Sequence, residues 1–140
     1  MSRISGPSLE LLYPLLMSRK ILIVDDTPDL LLNIKEFLIM EDYEVRTATN
    51  GLQALEALES NEALPDIIIT DIVMPRMDGL EFIQEMRKQE RFNTIPVIVF
   101  SAKPVQESQD RISQLRVDKF VMKPSTLDCL LESIEELLNS

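Results

Sequence analysis

From Lys20 onward the apolar positions switch back and forth between two periods. Ile21-Leu22-Ile23-Val24, Ile67-Ile68-Ile69-Thr70 and Val97-Ile98-Val99-Phe100 are short, mostly β-branched runs without alternation. Such runs are the mark of parallel strands covered on both faces. Tyr43 to Ala48 instead alternates, with Glu44 and Arg46 at polar positions, as suits an edge strand. Lys119 to Met122 reads as a fifth strand. Between the strands the spacing is helical: Leu31, Ile34, Phe37 and Leu38; Ala54, Leu55 and Leu58; Leu80, Ile83 and Met86; Leu127, Leu130, Leu131, Ile134, Leu137 and Leu138. Strand and helix alternate five times, which predicts an α/β fold of (βα)5 type around a parallel five-stranded sheet.

Punctuation residues set the boundaries. Thr27-Pro28 predicts a helix start, with Thr27 as N-cap and Pro28 in the first turn. Asn50-Gly51 opens the second helix, and the third starts near Gly79. Pro96 opens the fourth strand, where proline is tolerated. Ser125, with Asp128 three residues on, suggests a capping box for the last helix. The fourth helix, from about Val105 to Leu115, is thin, with Ile112 and Leu115 as its anchors among polar residues. Few buried contacts predict low local stability there. Residues 1–18 stand apart from residues 19–140, which form one domain. Leu9 to Met17 is apolar but broken by Glu10 and Pro14, which is unlike a secretory leader. Met17-Ser18-Arg19-Lys20 reads as a second start, so two readings stay open: a start at Met17, or a real extension that packs on the domain or on a partner.

Composition narrows the chemistry. The apolar share of 45% supports a core without disulfides or metal as staples. The lone cysteine, Cys129, lies within the last helical stripe and reads as a small buried hydrophobe in a reducing, cytoplasmic setting. A net charge of −10 argues against nucleic acid as a direct partner. The chain has no histidine, which excludes histidine acid–base chemistry, histidine metal ligation and a phosphohistidine carrier. No stretch reaches the roughly 20 apolar residues of a membrane span.

The polar residues at the strand ends carry the rest. Asp25 and Asp26 follow the first strand, Asp71 the third, Ser101 the fourth and Lys123 the fifth. Right-handed crossovers bring all these ends to one edge of the sheet, where open α/β sheets place their sites. Two carboxylates about 5 Å apart repel by roughly 3 kcal/mol at an effective dielectric of 20, so a counter-charge is needed. Oxygen donors without sulfur or imidazole select Mg2+, with Mn2+ as an alternative. An ionised Asp71 can then attack phosphorus and form an acyl phosphate, with Lys123 adding positive charge and Ser101 a hydroxyl donor. Singly, each of these residues is more often a cap, a turn former or a solvated side chain. It is their joint placement that points to phosphoryl chemistry.

Four motifs resemble the receiver domain of two-component response regulators, nearest in layout to stand-alone chemotaxis regulators. They are Ile21-Leu22-Ile23-Val24-Asp25-Asp26, Asp71 through Gly79 with Met74-Pro75 and Asp78-Gly79, Pro96 through Ala102, and Asp118 through Pro124. The resemblance implies a doubly wound, flavodoxin-like sheet of order 2-1-3-4-5. It implies Asp71 as phosphoacceptor, and a magnesium site of Asp26, Asp25 (partly through water), Asp71 and the Val73 carbonyl. Lys123 is then the phosphoryl partner, Ser101 the switch hydroxyl and Phe120 the switch aromatic. Ser101 is expected to move toward the phosphoryl group and Phe120 to turn inward, remodelling the face of helix four, strand five and helix five. The Lys123-Pro124 bond is expected to be cis. The donor implied is a sensor histidine kinase or a histidine phosphotransfer protein, and the output is a downstream protein target.

The sequence also departs from the family pattern. Arg116-Val117 precedes the fifth strand where Gly-Ala is usual, and a small Ser125 follows Lys123-Pro124. Val73 and Lys103 fill variable positions beside the site. The last helix offers Glu132, Glu135 and Glu136 without arginine, so a monomer or weak dimer is expected. A stand-alone regulator, not an enzyme, is the leading expectation. Alternatives are a domain cut from a hybrid kinase or multidomain regulator, a pseudo-receiver that only binds, and an aspartate-nucleophile phosphatase of the haloacid dehalogenase type. That last class carries a second aspartate where Val73 stands.

Overall fold

The computed structural model describes residues 18–60, 63–102 and 106–139. The strands are β1 (Lys20–Val24), β2 (Glu44–Ala48), β3 (Ile67–Thr70), β4 (Val97–Ser101) and β5 (Lys119–Met122). The helices are α1 (Pro28–Met40), α2 (Gly51–Ser60), α3 (Gly79–Arg87), α4 (Gln106–Gln114) and α5 (Leu127–Leu138). All strand pairs are parallel, in the order β2-β1-β3-β4-β5. The architecture is thus the doubly wound (βα)5 sheet that the sequence implied.

Alternate residues of the central strands feed two cores. Ile21, Ile23, Ile67, Ile69, Ile98 and Phe100 pack with α1 and α5 through Leu31, Ile34, Leu38, Leu130 and Ile134. Leu22, Val24, Ile68, Val97 and Val99 pack with α2 and α3 on the opposite face, together with Phe82 and Phe92. Every residue of β3 and β4 is buried, which explains their unbroken apolar runs. β2 is half exposed, as its alternation predicts.

Several local expectations are corrected. The cap of α5 is Thr126, whose side chain accepts from the Cys129 N–H at 3.1 Å; Ser125 instead donates to the Thr126 carbonyl. The helix begins one residue later than a Ser125 cap requires, so Thr126 meets the open N–H groups. Cys129 is exposed, not buried. It lies one position, about 100° of helix, before Leu130, which is the residue the stripe buries. Thr27 occupies the N-cap position of α1, but its side chain makes no capping bond. The Lys123-Pro124 bond is cis.

Sequence spacing had not shown how the turn before β5 is held. Arg87, at the end of α3, donates through Nη1 to the carbonyls of Asn93 and Ile95, at 3.0 and 2.8 Å. Its Nη2 donates to the Arg116 carbonyl at 2.7 Å and lies 3.6 Å from Asp118. Asp118 in turn accepts from the Val97 N–H at the start of β4. Burial, then repulsion from Arg116, lowers the Arg87 guanidinium below its usual range, and Asp118 partly offsets this. A cation thus ties down the Arg116-Val117 turn before β5.

Candidate functional site

The backbone ladder delivers each functional side chain to one rim. Val24 of β1 sits between Ala48 of β2 and Thr70 of β3. The next residues, Asp25 and Asp71, extend the ladder by one hydrogen bond each: Asp25 N–H to the Ala48 carbonyl at 3.0 Å, and Asp71 N–H to the Val24 carbonyl at 2.9 Å. The Lys123 N–H likewise bonds the Ser101 carbonyl at 2.7 Å. Four site residues are therefore held by main-chain bonds to neighbouring strands.

Asp71 is only partly accessible, and both of its carboxylate oxygens are engaged. Oδ1 accepts from its neighbour's amide, Ile72 N–H, at 2.7 Å and from the Ser101 hydroxyl at 2.5 Å. Oδ2 accepts from Lys123 Nζ at 3.1 Å. Lys123 Nζ also bonds Asp25 Oδ2 at 2.8 Å, so one ammonium bridges two acids. Asp25 is 2% exposed, and its other oxygen accepts from the Thr27 N–H at 2.9 Å. Burial pulls the Lys123 ammonium down. Hydrogen bonds and charge attraction from Asp25 and Asp71 outweigh that and hold it above the usual lysine value. Its Nζ also lies 5.3 Å from the centre of the Phe100 ring, a cation–π distance.

Asp25, Asp26 and Asp71 each offer an oxygen, and these three atoms lie within 4.8 Å of one another. Asp26 is exposed and has no hydrogen bond or ion pair among the described residues. The donor set is all hard oxygen, one carboxylate of the three is open to solvent, and Lys123 already offsets part of the acidic charge. These residues fit a divalent cation that keeps some of its water. Val73 follows in the loop and is 78% exposed.

The loop after β3 is tightly built. A Cβ on Gly79 would fall 1.8 Å from the Asp71 carbonyl oxygen, so only glycine fits there. The Gly79 N–H bonds the Ile72 carbonyl at 2.7 Å, and the buried Thr70 hydroxyl donates to the Asp71 carbonyl at 2.8 Å. Asp78 caps α3 reciprocally with Glu81. The same carboxylate meets Arg111 of α4, Nη1 to Oδ2 at 3.2 Å and Nη2 to Oδ1 at 3.3 Å. The Asp-x-x-Glu spacing could have revealed the cap, but nothing in the sequence signalled the Arg111 contact.

Of the residues singled out from sequence, Asp25, Asp26, Asp71, Ser101 and Lys123 come together at this rim. The Ser101 hydroxyl already engages the unmodified carboxylate. Phe120 is placed differently: the register sets it beside Val99, two residues back from Ser101, where it is half buried against the α2–α3 core. Lys103 lies outside the described residues, as does the leader 1–17.

Comparisons with known proteins agree with this geometry. A family model described as the response regulator receiver domain matches residues 21–135. The sensor histidine kinase TmoS of Ectopseudomonas mendocina is 34% identical over 120 residues, covering 86% of this chain and 12% of the kinase. Response regulator Rre1 of Synechocystis is 33% identical over 119 residues, covering 84% of this chain and 51% of the regulator. The chain thus spans about half, or much less, of these curated relatives. The structure of response regulator TrrA from Thermotoga maritima, in complex with Mg2+-BeF, superposes with a TM-score of 0.73 at 35% identity, covering 86% of this chain and 99% of that one. The matched segment runs from β1 into α5 and takes in the whole acidic rim, and the chain belongs to the response regulator receiver domain family.

Proposed function

We propose that this domain accepts a phosphoryl group on Asp71 from a phosphohistidine of a sensor kinase or phosphotransfer protein. It then signals to a downstream protein through the face of α4, β5 and α5. The observation that carries the proposal is Asp71 held between Lys123 and Ser101 beside two further carboxylates. In the transfer a carboxylate oxygen of Asp71 bonds to phosphorus as the P–N bond breaks, and the electron pair leaves with the donor imidazole. Lys123 meets the charge on the transferred group, and the Ser101 hydroxyl is placed to donate to it. Asp26, Asp25 and Asp71 would hold Mg2+, with the Val73 carbonyl as a further ligand and Mn2+ as a substitute. The bound ion supplies charge neutralisation for phosphoryl transfer. The TrrA structure with Mg2+-BeF supports this choice by analogy.

Chemistry of this kind is self-modification and slow self-dephosphorylation, not turnover of a separate substrate. Curated relatives carry the domain both in a sensor kinase and in a response regulator, so the proposal concerns the domain in either setting. We place it in the cytoplasm, where a donor kinase and a protein target are both accessible. Among the described residues no helix is long and apolar enough to cross a membrane.

The test is incubation with acetyl phosphate and Mg2+, read by intact mass and by NMR of Phe120 and Ser101. One phosphoryl group should appear, and Asp71→Asn should abolish it while the folded spectrum is kept. Failure of the wild-type protein to acquire an acyl phosphate, with no change at Phe120 or Ser101, would sink the proposal.

A further inference from the structure

β2 is an edge of the sheet: among the described residues it pairs only with β1. The Glu44 N–H donates to the Arg19 carbonyl, and the Ala48 carbonyl accepts from the Asp25 N–H. Residues 44, 46 and 48 therefore turn their main-chain groups toward β1. By the two-residue period of a strand, Val45 and Thr47 turn theirs outward along the edge.

Edge strands usually carry charge that discourages a second strand. Here the charged side chains are Glu44 and Arg46, both exposed, opposite in sign and two residues apart, so they share one face. Arg46 has no hydrogen bond or ion pair among the described residues. Glu44 has only the well-exposed Lys20 ammonium near it, at 3.7 Å. This pattern complements itself when the strand is reversed. In an antiparallel pair centred on Val45, Glu44 stands opposite Arg46 of the other copy, and Arg46 opposite its Glu44. The two Val45 residues then exchange their outward N–H and carbonyl groups. Moving the centre by one residue, to Arg46, would set two guanidinium groups against each other and Glu44 against Ala48. Charge thus selects the register.

The opposite face of the edge adds apolar surface. Leu32 and Lys35 of α1 line one groove with Thr47 and Thr49. Leu32 and Ile39, 53% and 48% exposed, are seven residues apart and so lie on one side of the helix. A two-fold axis normal to the sheet at Val45 brings this side of α1 toward the same side of its copy.

We propose that two copies of this chain join edge to edge, β2 antiparallel to β2, with reciprocal Glu44–Arg46 ion pairs on one face and Leu32 and Ile39 of both α1 helices closing the other. The occupant is a second copy because the charge pattern is its own complement under a two-fold axis. β5 forms the other edge of the sheet, so the face of α4, β5 and α5 stays open in such a dimer.

The test is sedimentation of the full chain between about 10 μM and about 1 mM, a range suited to a small, partly polar interface. Wild type should pass from monomer to dimer across it. Arg46→Glu and Glu44→Arg should each raise the dissociation constant at least ~10-fold, because each sets like charges opposite one another. An equimolar mixture of the two variants should associate at least ~10-fold more tightly than either alone, since every acid then meets a base. A folding defect in either variant would not give that recovery. Amide exchange at Val45 should slow several-fold in concentrated wild type relative to dilute, while Ile69 in the sheet centre stays unchanged. A wild-type protein that remains monomeric, a mixture no tighter than its parts, or Val45 exchange independent of concentration would each overturn the proposal.

Discussion

The centre of the sheet and its β5 side are held by different forces. At the centre, β1, β3 and β4 are sealed between two apolar layers, and the acidic rim is a one-residue continuation of their ladders. At the β5 side, no residue of β5 is fully buried, and α4 shows none buried from Gln109 to Gln114. That flank is held by partly buried Ile112, Leu115, Val117 and Phe120, by the Arg87 clamp, and by the Arg111–Asp78 pair. The proposed phosphoacceptor needs fixed geometry, and close-packed strands provide it. The proposed signalling face needs an alternative arrangement within a few kcal/mol, which partial burial and exposed ion pairs allow.

The contrast is broken most directly by removing matched side chains. Ile68→Ala, in the fully buried centre, should cost about 2–5 kcal/mol in urea unfolding. Ile112→Ala, at a partly buried position of α4, should cost about 1 kcal/mol. Equal costs would remove the distinction between the centre and the β5 side. Next in size is Gly79→Ala, whose Cβ meets the Asp71 carbonyl. Overpacking there should cost about 1–3 kcal/mol. It should also slow acetyl phosphate labelling of Asp71, which a simple stability defect corrected by lower temperature would not do.

Smaller again is Arg111→Ala. The pair is partly exposed, so its loss should change global stability by no more than about 1 kcal/mol. Asp78 keeps its cap with Glu81, so α3 should stay intact while hydrogen exchange in α4 rises. The smallest effect is a titration. Burial lowers the Lys123 ammonium, but its hydrogen bonds to Asp25 and Asp71 and their charge outweigh that and hold it above the ordinary lysine value. Its contribution is therefore complete below the ordinary lysine range and is lost as pH rises through and beyond it. NMR of the Lys123 side chain should show the raised midpoint, and Asp71→Asn should bring it down.

Much of the rim was legible because strand ends are readable. Unbroken apolar runs stop at Asp25, Asp71 and Ser101, and parallel topology sends every such stop to the same edge. Contacts between elements distant in sequence were not legible. Arg87 reaching the Arg116 carbonyl, Arg111 reaching Asp78, and Phe100 beneath Lys123 all depend on how helices sit over the sheet. The misread cap at Ser125 and the exposed Cys129 have simpler causes. The helix starts one residue later than a Ser125 cap requires, and Cys129 lies about 100° around the helix from the buried Leu130.

By itself, the sequence determined the α/β class, the five strand–helix units and the acids that meet at the rim, because burial on two faces imposes its own pattern on the residues. Only the tertiary structure decided how those acids are partnered. Lys123 bridges Asp25 and Asp71, Ser101 is already bonded to Asp71, and Phe120 sits two residues from Ser101 across the strand pair. Such pairings depend on distances of a few ångströms between strands remote in sequence, and periodicity along one chain carries no record of them.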